Sequence, residues 1–317
     1  MSFEVIKAGV LDTLQDLGRF GYQHLGINPG GAMDRHAMQL ANALVGNALG
    51  EAVLEMHFPA AAFLVQCPAL IALAGADFDA QLNGDPIPHL QPVYLRKNDL
   101  LQFHRPRQGA RAYMAVAGGF AASEWLGSKS THLLCQRGGF NGRALQTGDI
   151  LGSKTAAPAD PGRNFLPWHA TAPVQKNTFS ILKGPEWNCL TDTAMYHLLQ
   201  DAFVITRQSD RMGYRLLHDP LPCHAQDEMV SSAVDFGTIQ LLPDGKLIIL
   251  MADHQTTGGY PRIGHVSASD LPSLAQCQPG DAIHFSLTDT TTARNRWKQQ
   301  QHDLRLLQNA CTFRLKQ

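Results

Sequence analysis

The residues best suited to chemistry lie close together in the last third of the chain. A fully apolar stretch, residues 247–251, runs into a Gly-Gly turn that carries a carboxylate, an imidazole, an amide and two hydroxyls, on Asp253, His254, Gln255, Thr256 and Thr257. Side chains at the end of a strand are well placed for catalysis, because the sheet fixes their direction. A purely structural turn does not need so many different polar groups in succession, so we predict a functional site here.

Three arginines alternate with polar groups in a second segment, residues 207–215. Arg207, Arg211 and Arg215 can hold a carboxylate or a phosphate, because a guanidinium binds such groups through two parallel hydrogen bonds. A solvated hairpin in which Asp210 pairs with a neighbouring arginine explains the same residues equally well. The sequence leaves both interpretations open.

Paired glycines precede the start of a helix in a third segment. Gly30 and Gly31 stand before Asp34, and backbone N–H groups at such a position can face an anion or an oxyanion. On this segment alone, a tight turn that leads into a capped helix is the simpler interpretation.

A fourth segment, residues 126–131, places hydroxyls beside Lys129. The chain has no Gly-x-x-x-x-Gly-Lys-Ser/Thr phosphate loop, so a polar hairpin is the simpler interpretation there as well.

Several familiar sites are missing from the sequence. Gly-x-Ser-x-Gly is absent, and no Gly-x-Gly-x-x-Gly follows a strand. The fourteen histidines include no His-Glu-x-x-His and no His-x-His, and the six cysteines form no Cys-x-x-Cys. We therefore predict no metal site, and we expect free, mostly buried thiols in a reducing cytosol.

Composition narrows the class of protein further. With 26 Lys and Arg against 27 Asp and Glu, the formal net charge of −1 gives no general attraction to nucleic acid or to an anionic membrane. No apolar run approaches the roughly 18 residues that span a bilayer. The N-terminal residues lack the apolar core of a signal peptide. We expect a cytoplasmic globular protein.

Most of the chain is predicted to form short strands between turns, which favours a barrel or sandwich over a doubly wound sheet. The strand-like runs are residues 70–73, 93–95, 100–103, 113–116, 179–182, 203–205 and 247–251. A turn residue followed by Asp and an apolar strand recurs at Asn98, Gly148 and Gly280, which hints at related β modules in both halves, although chance also explains it.

Three helices and one linker complete the expected organisation. Asp34 is predicted to cap a helix that ends at Gly46. The second helix begins near Thr191 and buries Met195, Leu198, Leu199 and Ala202. The third covers residues 292–308, with Trp297, Leu304 and Leu307 available for packing. A linker rich in Ala, Pro and Asp, residues 154–177 with Pro158, Pro161, Pro167 and Pro173, separates domains at about 1–160 and 175–317.

In their residues and in their order along the chain, the candidate segments resemble the family that contains KipA and the C subunit of 5-oxoprolinase. That family also includes allophanate hydrolase subunit 2-like proteins and the carboxyltransferase part of urea carboxylase. The matching stretches run from Gln15 to Phe285: QDLGRFG, GGAMDRHAMQLANALVGN, LEM, ALAGAD, ARAYMAVAGGF, LGSKST, GGFNGRAL, SDRMGYRL, GTIQLLPDG, MADHQTTGGYPRIGHV and LAQCQPGDAIHF.

The resemblance implies a mainly β fold with a few helices, in two cyclophilin-like β-barrel modules. It implies an ATP-hydrolysing amidohydrolase, a 5-oxoprolinase that opens 5-oxoproline to glutamate with a KipI-like B subunit and a LamB/YcsF-like A subunit. ATP with Mg is the implied cofactor. One alternative is a carboxyltransferase; because the chain has no Met-Lys-Met biotin attachment site, biotin would have to arrive on another chain. The other is a non-catalytic KipA-like regulator of a kinase inhibitor.

Together, the loop chemistry and the resemblance assign a role to each candidate residue. Asp253 is the candidate acid, base or magnesium contact, and Thr256, Thr257 and Tyr260 orient substrate. The candidate anion-binding residues are Arg211, Arg215, Arg262, Gly30, Gly31 and Asp34.

The sequence departs from the family pattern at two places. His57 and Phe58 stand where Gly-Pro is usual. Ser231 and Ser232 replace the usual Ser-Glu, which affects specificity if that Glu contacts substrate.

Overall fold

The computed structural model describes residues 2–156, 159–160, 162, 164–224 and 229–315, and its chain splits into two compact units. The first unit contains Met1–Arg19, Gly30–Pro173 and Gln301–Gln317; the second contains Phe20–Pro29 and Val174–Gln300. Two segments, residues 20–29 and 301–317, thus lie in a different unit from the one that the expected boundaries gave. Pro158 and Pro161 of the expected linker lie outside the described residues.

The first unit is built from two antiparallel sheets. Its described strands are β1 (Ser2–Lys7), β2 (Thr13–Gln15), β3 (Val53–His57), β4 (Ala62–Val65), β5 (Ala69–Asp77), β6 (Ala80–Leu82), β7 (Asp85–Pro86), β8 (Val93–Leu95), β9 (Leu100–Phe103), β10 (Gln108–Val116) and β11 (Ile150–Gly152). One sheet has the order β11-β1-β4-β9-β6-β7, and the other has the order β2-β3-β10-β5-β8.

Helix α1 (Arg35–Leu44) packs on the outer face of the second of these sheets. Strand β10 is apolar on both faces for this reason. Met114 and Val116 face the core between the two sheets, whereas Tyr113 and Ala115 face the cluster that includes α1. The helix begins where the sequence predicts, because the Oδ1 atom of Asp34 accepts a hydrogen bond from the Ala37 N–H at 2.8 Å.

The second unit contains a closed barrel. Its described strands are β12 (Thr178–Lys183), β13 (Phe203–Ile205), β14 (Gly213–Leu217), β15 (Ser232–Ala233), β16 (Thr238–Leu241), β17 (Leu247–Leu250), β18 (Thr257–Gly258), β19 (Arg262–Val266) and β20 (Ala282–Leu287). The barrel has the order β12-β19-β16-β17-β14-β13-β20 and closes through parallel pairing of β12 with β20. Strands β15 and β18 form a separate small sheet.

Three further helices are present in the described part of the chain, α2 (Asp192–Gln200), α3 (Leu271–Ala275) and α4 (Thr290–Leu315), and the sequence predicts two of them, α2 and α4. Two single-turn 3-10 helices cover Gln23–Leu25 and Trp187–Cys189. Helix α2 is capped by Thr191 as expected, but Ala202 lies beyond its end and is exposed. In α4, Leu304 is buried as expected, whereas Trp297 is 44% exposed. Among the described residues, no helix is long and apolar enough to cross a membrane.

The recurring turn has the same geometry in all three places. Asn98, Gly148 and Gly280 have φ values of 71°, 90° and 100°, in the left-handed region. At each turn the next residue is an aspartate whose Oδ2 atom accepts, at 2.7 Å, a backbone N–H three residues earlier in the chain. Two copies lie in the first unit and one in the second, so the repeat seen in the sequence is a repeated structural element.

Most of the architecture agrees with the sequence. The mainly β fold with a few helices is confirmed, and every strand-like run coincides with an observed strand. The barrel is observed in the second unit, while the first unit has two sheets around a shared core.

Candidate functional site

The predicted site residues are divided between the two units. Gly30, Gly31 and Asp34 belong to the first unit. The others belong to the second unit: Arg211, Arg215, Asp253, Thr256, Thr257, Tyr260 and Arg262.

Arg211 and Asp253 form an ion pair with fork geometry. The Arg211 Nε atom donates to Asp253 Oδ2 at 2.7 Å, and Nη2 donates to Oδ1 at 3.0 Å. The arginine side chain is 8% exposed and the aspartate side chain 26% exposed. Each carboxylate oxygen keeps a lone pair beyond the one used by arginine. The carboxylate is therefore fixed from the protein side and reachable from the solvent side.

The pairing of two barrel strands brings these residues together. Strands β14 and β17 are antiparallel, with Gly213 opposite Leu250. The segment before β14 and the segment after β17 therefore meet at the same end of the pair, and the Asp253 N–H donates to the Arg211 carbonyl at 2.8 Å. Because main chain and side chains are both bonded, the carboxylate has little freedom to move.

Two residues outside the predicted site, Asn28 and His254, support this segment. The Asn28 side-chain amide donates to the Asp253 carbonyl oxygen at 2.8 Å. His254 is almost fully buried, with Nδ1 at 2.5 Å from the Gln255 carbonyl oxygen and Nε2 at 3.7 Å from Asp235 Oδ1. The Asn-Pro step after Gly26 marks Asn28 as a turn residue, but nothing in the sequence links it to a segment 225 residues away.

Arg262 is held by a second carboxylate. Its Nε and Nη2 atoms donate to Glu186 at 2.9 and 2.7 Å, and its Nη1 atom donates to the Ala233 carbonyl at 3.0 Å. The hydrogen bonds from Arg262 lower the pKa of Glu186, and Glu186 raises the pKa of Arg262. The guanidinium assigned to an anionic ligand is thus engaged by the protein itself. Arg215, by contrast, is exposed on β14.

The hydroxyl groups of the predicted site, on Thr256, Thr257 and Tyr260, lie along the segment that leads from Asp253 to β19. Thr257 is in β18, which pairs with β15 so that Ser232 lies opposite Gly258. Ser232 is the position where the family usually has Glu, so this departure lies beside a predicted site residue. A Cβ atom on Gly258 would lie 2.4 Å from the Gln240 amide nitrogen, so a larger residue there would require the Gln240 side chain to move.

A cavity of about 710 Å³ opens next to the same segment. Its walls are mostly proline and leucine side chains, with Tyr260 and Asp244 as polar members. A largely apolar cavity with a few polar groups is the usual form of a small-molecule site. The structure thus connects Tyr260 to the cavity, whereas Arg211 and Asp253 do not line it.

The first-unit residues form a tightly packed turn. Gly30 and Gly31 are buried, with φ values of 60° and 93°. A Cβ atom on Gly31 would lie 2.8 Å from the Gly18 nitrogen, so only glycine fits. The Asp34 side chain caps α1, and the Asp34 N–H donates to the Tyr113 hydroxyl at 2.7 Å. Asp34 therefore has a structural role within the first unit.

Asp12 and Tyr113 have strongly shifted pKa values elsewhere in the first unit. Burial raises the pKa of Asp12 to about 7, although the N–H groups of Ala61 and His57 donate to it and oppose the shift. Burial, together with the nearby Glu55 and Asp34 carboxylates, raises the pKa of Tyr113 well above its ordinary value.

Taken together, the fold and the second-unit site define a mainly β protein with a carboxylate held by an arginine and, further along the same segment, a tyrosine that lines a largely apolar cavity. A family model for "Carboxyltransferase domain, subdomain A and B" matches residues 25–287. The chain therefore belongs to the carboxyltransferase domain family.

Two relatives match over nearly their full length. The 5-oxoprolinase C subunit of Haemophilus influenzae is 35% identical over 274 residues, which cover 86% of this chain and 87% of the relative. The protein of the same name from Escherichia coli is 34% identical over 297 residues, which cover 92% and 94%.

A solved structure has the same fold. The crystal structure of the K. lactis urea amidolyase superposes with a TM-score of 0.88 and 26% identity, covering 96% of this chain. The match covers only 20% of that much longer protein.

Proposed function

We propose that the chain is the C-type subunit of an ATP-dependent 5-oxoprolinase, which opens 5-oxoproline to glutamate together with A- and B-type subunits. The observation that carries this proposal is the near full-length match to two proteins named as the C subunit of 5-oxoprolinase. The similarity to urea amidolyase covers a fifth of that protein.

In the proposed reaction, Asp253 orients the water that attacks the lactam carbonyl. Arg211 holds the carboxylate in one orientation through two hydrogen bonds, so its remaining lone pairs point in a fixed direction. Thr256, Thr257 and Tyr260 hold the substrate through hydrogen bonds, and the exposed Arg215 contacts its carboxylate. ATP supplies activation of the lactam carbonyl, which is otherwise a poor electrophile toward water.

Among the described residues, no group of three His, Cys, Asp or Glu side chains could hold a metal ion. Asp253, the predicted magnesium contact, is paired with Arg211, and the positive charge of the guanidinium opposes the approach of a cation. We therefore place ATP at an interface with another subunit, and we propose a KipI-like B subunit and a LamB/YcsF-like A subunit as partners. The cyclophilin-like description of both modules is part of the same proposal.

A carboxyltransferase activity is the second candidate, because the matching family model is a carboxyltransferase domain and the urea amidolyase fold is so similar. This activity requires a biotinyl group on another chain. A reaction that depends on an added biotinylated protein, and not on 5-oxoproline, distinguishes it from the first proposal.

The test is reconstitution of the chain with its A-type and B-type partners, measuring glutamate and ADP formed from 5-oxoproline and ATP. We expect turnover only in the complete mixture. Asp253→Asn is expected to lower kcat by about 100-fold or more, the usual contribution of a general acid or base. Asp149→Asn is the control, because Arg143 also holds Asp149 through two hydrogen bonds, from Nη1 and Nη2 at 2.7 and 2.8 Å, but Asp149 belongs to the first unit.

The two parts of the proposal fail in different ways. An intact three-subunit complex without 5-oxoproline-dependent turnover contradicts the oxoprolinase function. Full turnover with Asp253→Asn, in a complex that assembles normally, leaves the function in place and contradicts the site.

A further inference from the structure

Two lysines of the first unit converge on a single carboxylate oxygen. The Lys129 Nζ atom lies 3.0 Å and the Lys154 Nζ atom 2.5 Å from Glu51 Oε1, and the Ala52 N–H also donates to this oxygen at 3.0 Å. Burial opposes ionisation of Glu51, but the hydrogen bonds from the two lysines outweigh it and lower its pKa. One carboxylate therefore faces two ammonium groups.

The backbone around these side chains is held in place on both sides. The Lys129 N–H donates to Asp16 Oδ2 at 2.6 Å, and Asp16 Oδ1 accepts hydrogen bonds from the hydroxyls of Ser128 and Ser130, both at 2.6 Å. These hydroxyls, which the sequence places beside Lys129 as possible ligand contacts, instead fix the loop. The Lys154 N–H donates to the Gly119 carbonyl at 3.0 Å.

Gly119 has a φ of 81°, in the left-handed region that favours glycine. A Cβ atom there would also lie 2.5 Å from the Glu51 side chain. The two lysines and the glutamate thus extend from ordered backbone, which is the condition for a preformed site.

The two ammonium groups share one carboxylate. The oxygens of the nearby Asp16 already accept hydrogen bonds from the Lys129 N–H and from the hydroxyls of Ser128 and Ser130. Burial and the neighbouring Lys129 ammonium lower the pKa of Lys154. Burial also opposes the charge of Lys129, but its hydrogen bonds with Lys154 and Glu51 outweigh burial and raise its pKa. The lysine side chains are 24% and 33% exposed, so a small ion can reach them.

We propose that Lys129 and Lys154 form a binding site for a small oxyanion, a phosphate or a carboxylate-type ion such as acetate or bicarbonate. The anion supplies the negative charge that Glu51 alone cannot provide to two ammonium groups. All three residues belong to the first unit, so the proposal stands independently of the oxoprolinase function.

The test is competitive acetylation of the lysines of the whole chain with acetic anhydride, followed by mass spectrometry. Each of phosphate, acetate and bicarbonate is compared with sodium chloride at equal ionic strength. We expect at least one oxyanion to lower acetylation of Lys129 and Lys154 by threefold or more. Lys97, an exposed lysine of the same unit, is the control and should be unaffected. The anion that protects best identifies the ligand class.

Two variants make the result decisive. Lys154→Met is expected to abolish protection of Lys129, and Glu51→Gln, which keeps the shape and removes the competing negative charge, is expected to strengthen protection by fivefold or more. Equal labelling in all salts, or protection by chloride as strong as by the oxyanions, overturns the proposal. Unchanged protection in Glu51→Gln also overturns it, because the carboxylate then does not compete with the anion.

Discussion

Removing the Asp253 carboxylate should destabilise the second unit, because it takes the balancing negative charge away from the nearly buried Arg211 guanidinium. Breaking a buried ion pair from one side costs roughly 3–5 kcal/mol. Because a quarter of the Asp253 side chain is exposed, water can replace part of the lost interaction. We therefore expect Asp253→Ala to cost about 3 kcal/mol, which lowers the Tm of a unit of this size by roughly 10 °C.

Thermal unfolding followed by tryptophan fluorescence measures this effect, since Trp187 is buried in the second unit. Faster hydrogen exchange of the amides in β14 and β17 would then show that the loss of stability is located in these strands. The control is Asp160→Ala, because Arg96 holds Asp160 with the same two-point geometry at 3.0 and 3.1 Å. That pair is 41% and 45% exposed, so its loss should leave the Tm within about 2 °C of the wild type.

A double variant separates charge burial from simple loss of contacts. Adding Arg211→Met to Asp253→Ala removes the nearly buried guanidinium that has lost its carboxylate, so the double variant should regain at least about 1 kcal/mol over Asp253→Ala alone. A Tm for Asp253→Ala equal to that of Asp160→Ala would refute the reasoning. A double variant whose loss of stability equals the sum of the losses of the two single variants would refute it as well.

The remaining predictions concern the first unit and a glycine of the second. Gly31→Ala should destabilise the chain by more than about 2 kcal/mol, because the methyl group would contact backbone; Gly21→Ala, at the same φ of 93° with open space around it, should cost about 1 kcal/mol. Equal urea midpoints for the two variants would contradict this. Asp12 has a folded-state pKa of about 7 against an ordinary value of 3.8, so between these values the folded state binds more protons and its stability should fall as pH rises, by up to about 4 kcal/mol. In Asp12→Asn, the urea midpoint should change less between pH 4 and 7 than it does in the wild type. If the midpoints of the two proteins change in parallel with pH, Asp12 does not titrate in this range.

The local elements of the fold could be predicted because their causes act over a few residues. Asp34 caps α1 and Thr191 caps α2 through hydrogen bonds to N–H groups three residues ahead. The turns at Asn98, Gly148 and Gly280 follow from residues that tolerate positive φ next to an aspartate. Burial of single side chains was harder to predict, because it depends on which other elements pack against a helix. Trp297, which the sequence offers for packing, is 44% exposed.

The sequence by itself determined which residues have the chemistry for a site: the Asp253 segment, the arginines around Arg211 and the loop of Lys129. Tertiary structure decided how they pair. Arg211 meets Asp253 across 42 residues, and Arg262 meets Glu186 across 76. Lys154 reaches Glu51 across 103. Any of the arginines could satisfy either carboxylate, so the pairing depends on strand register and loop closure, which arise from burial of the whole core and leave no local signal in the sequence.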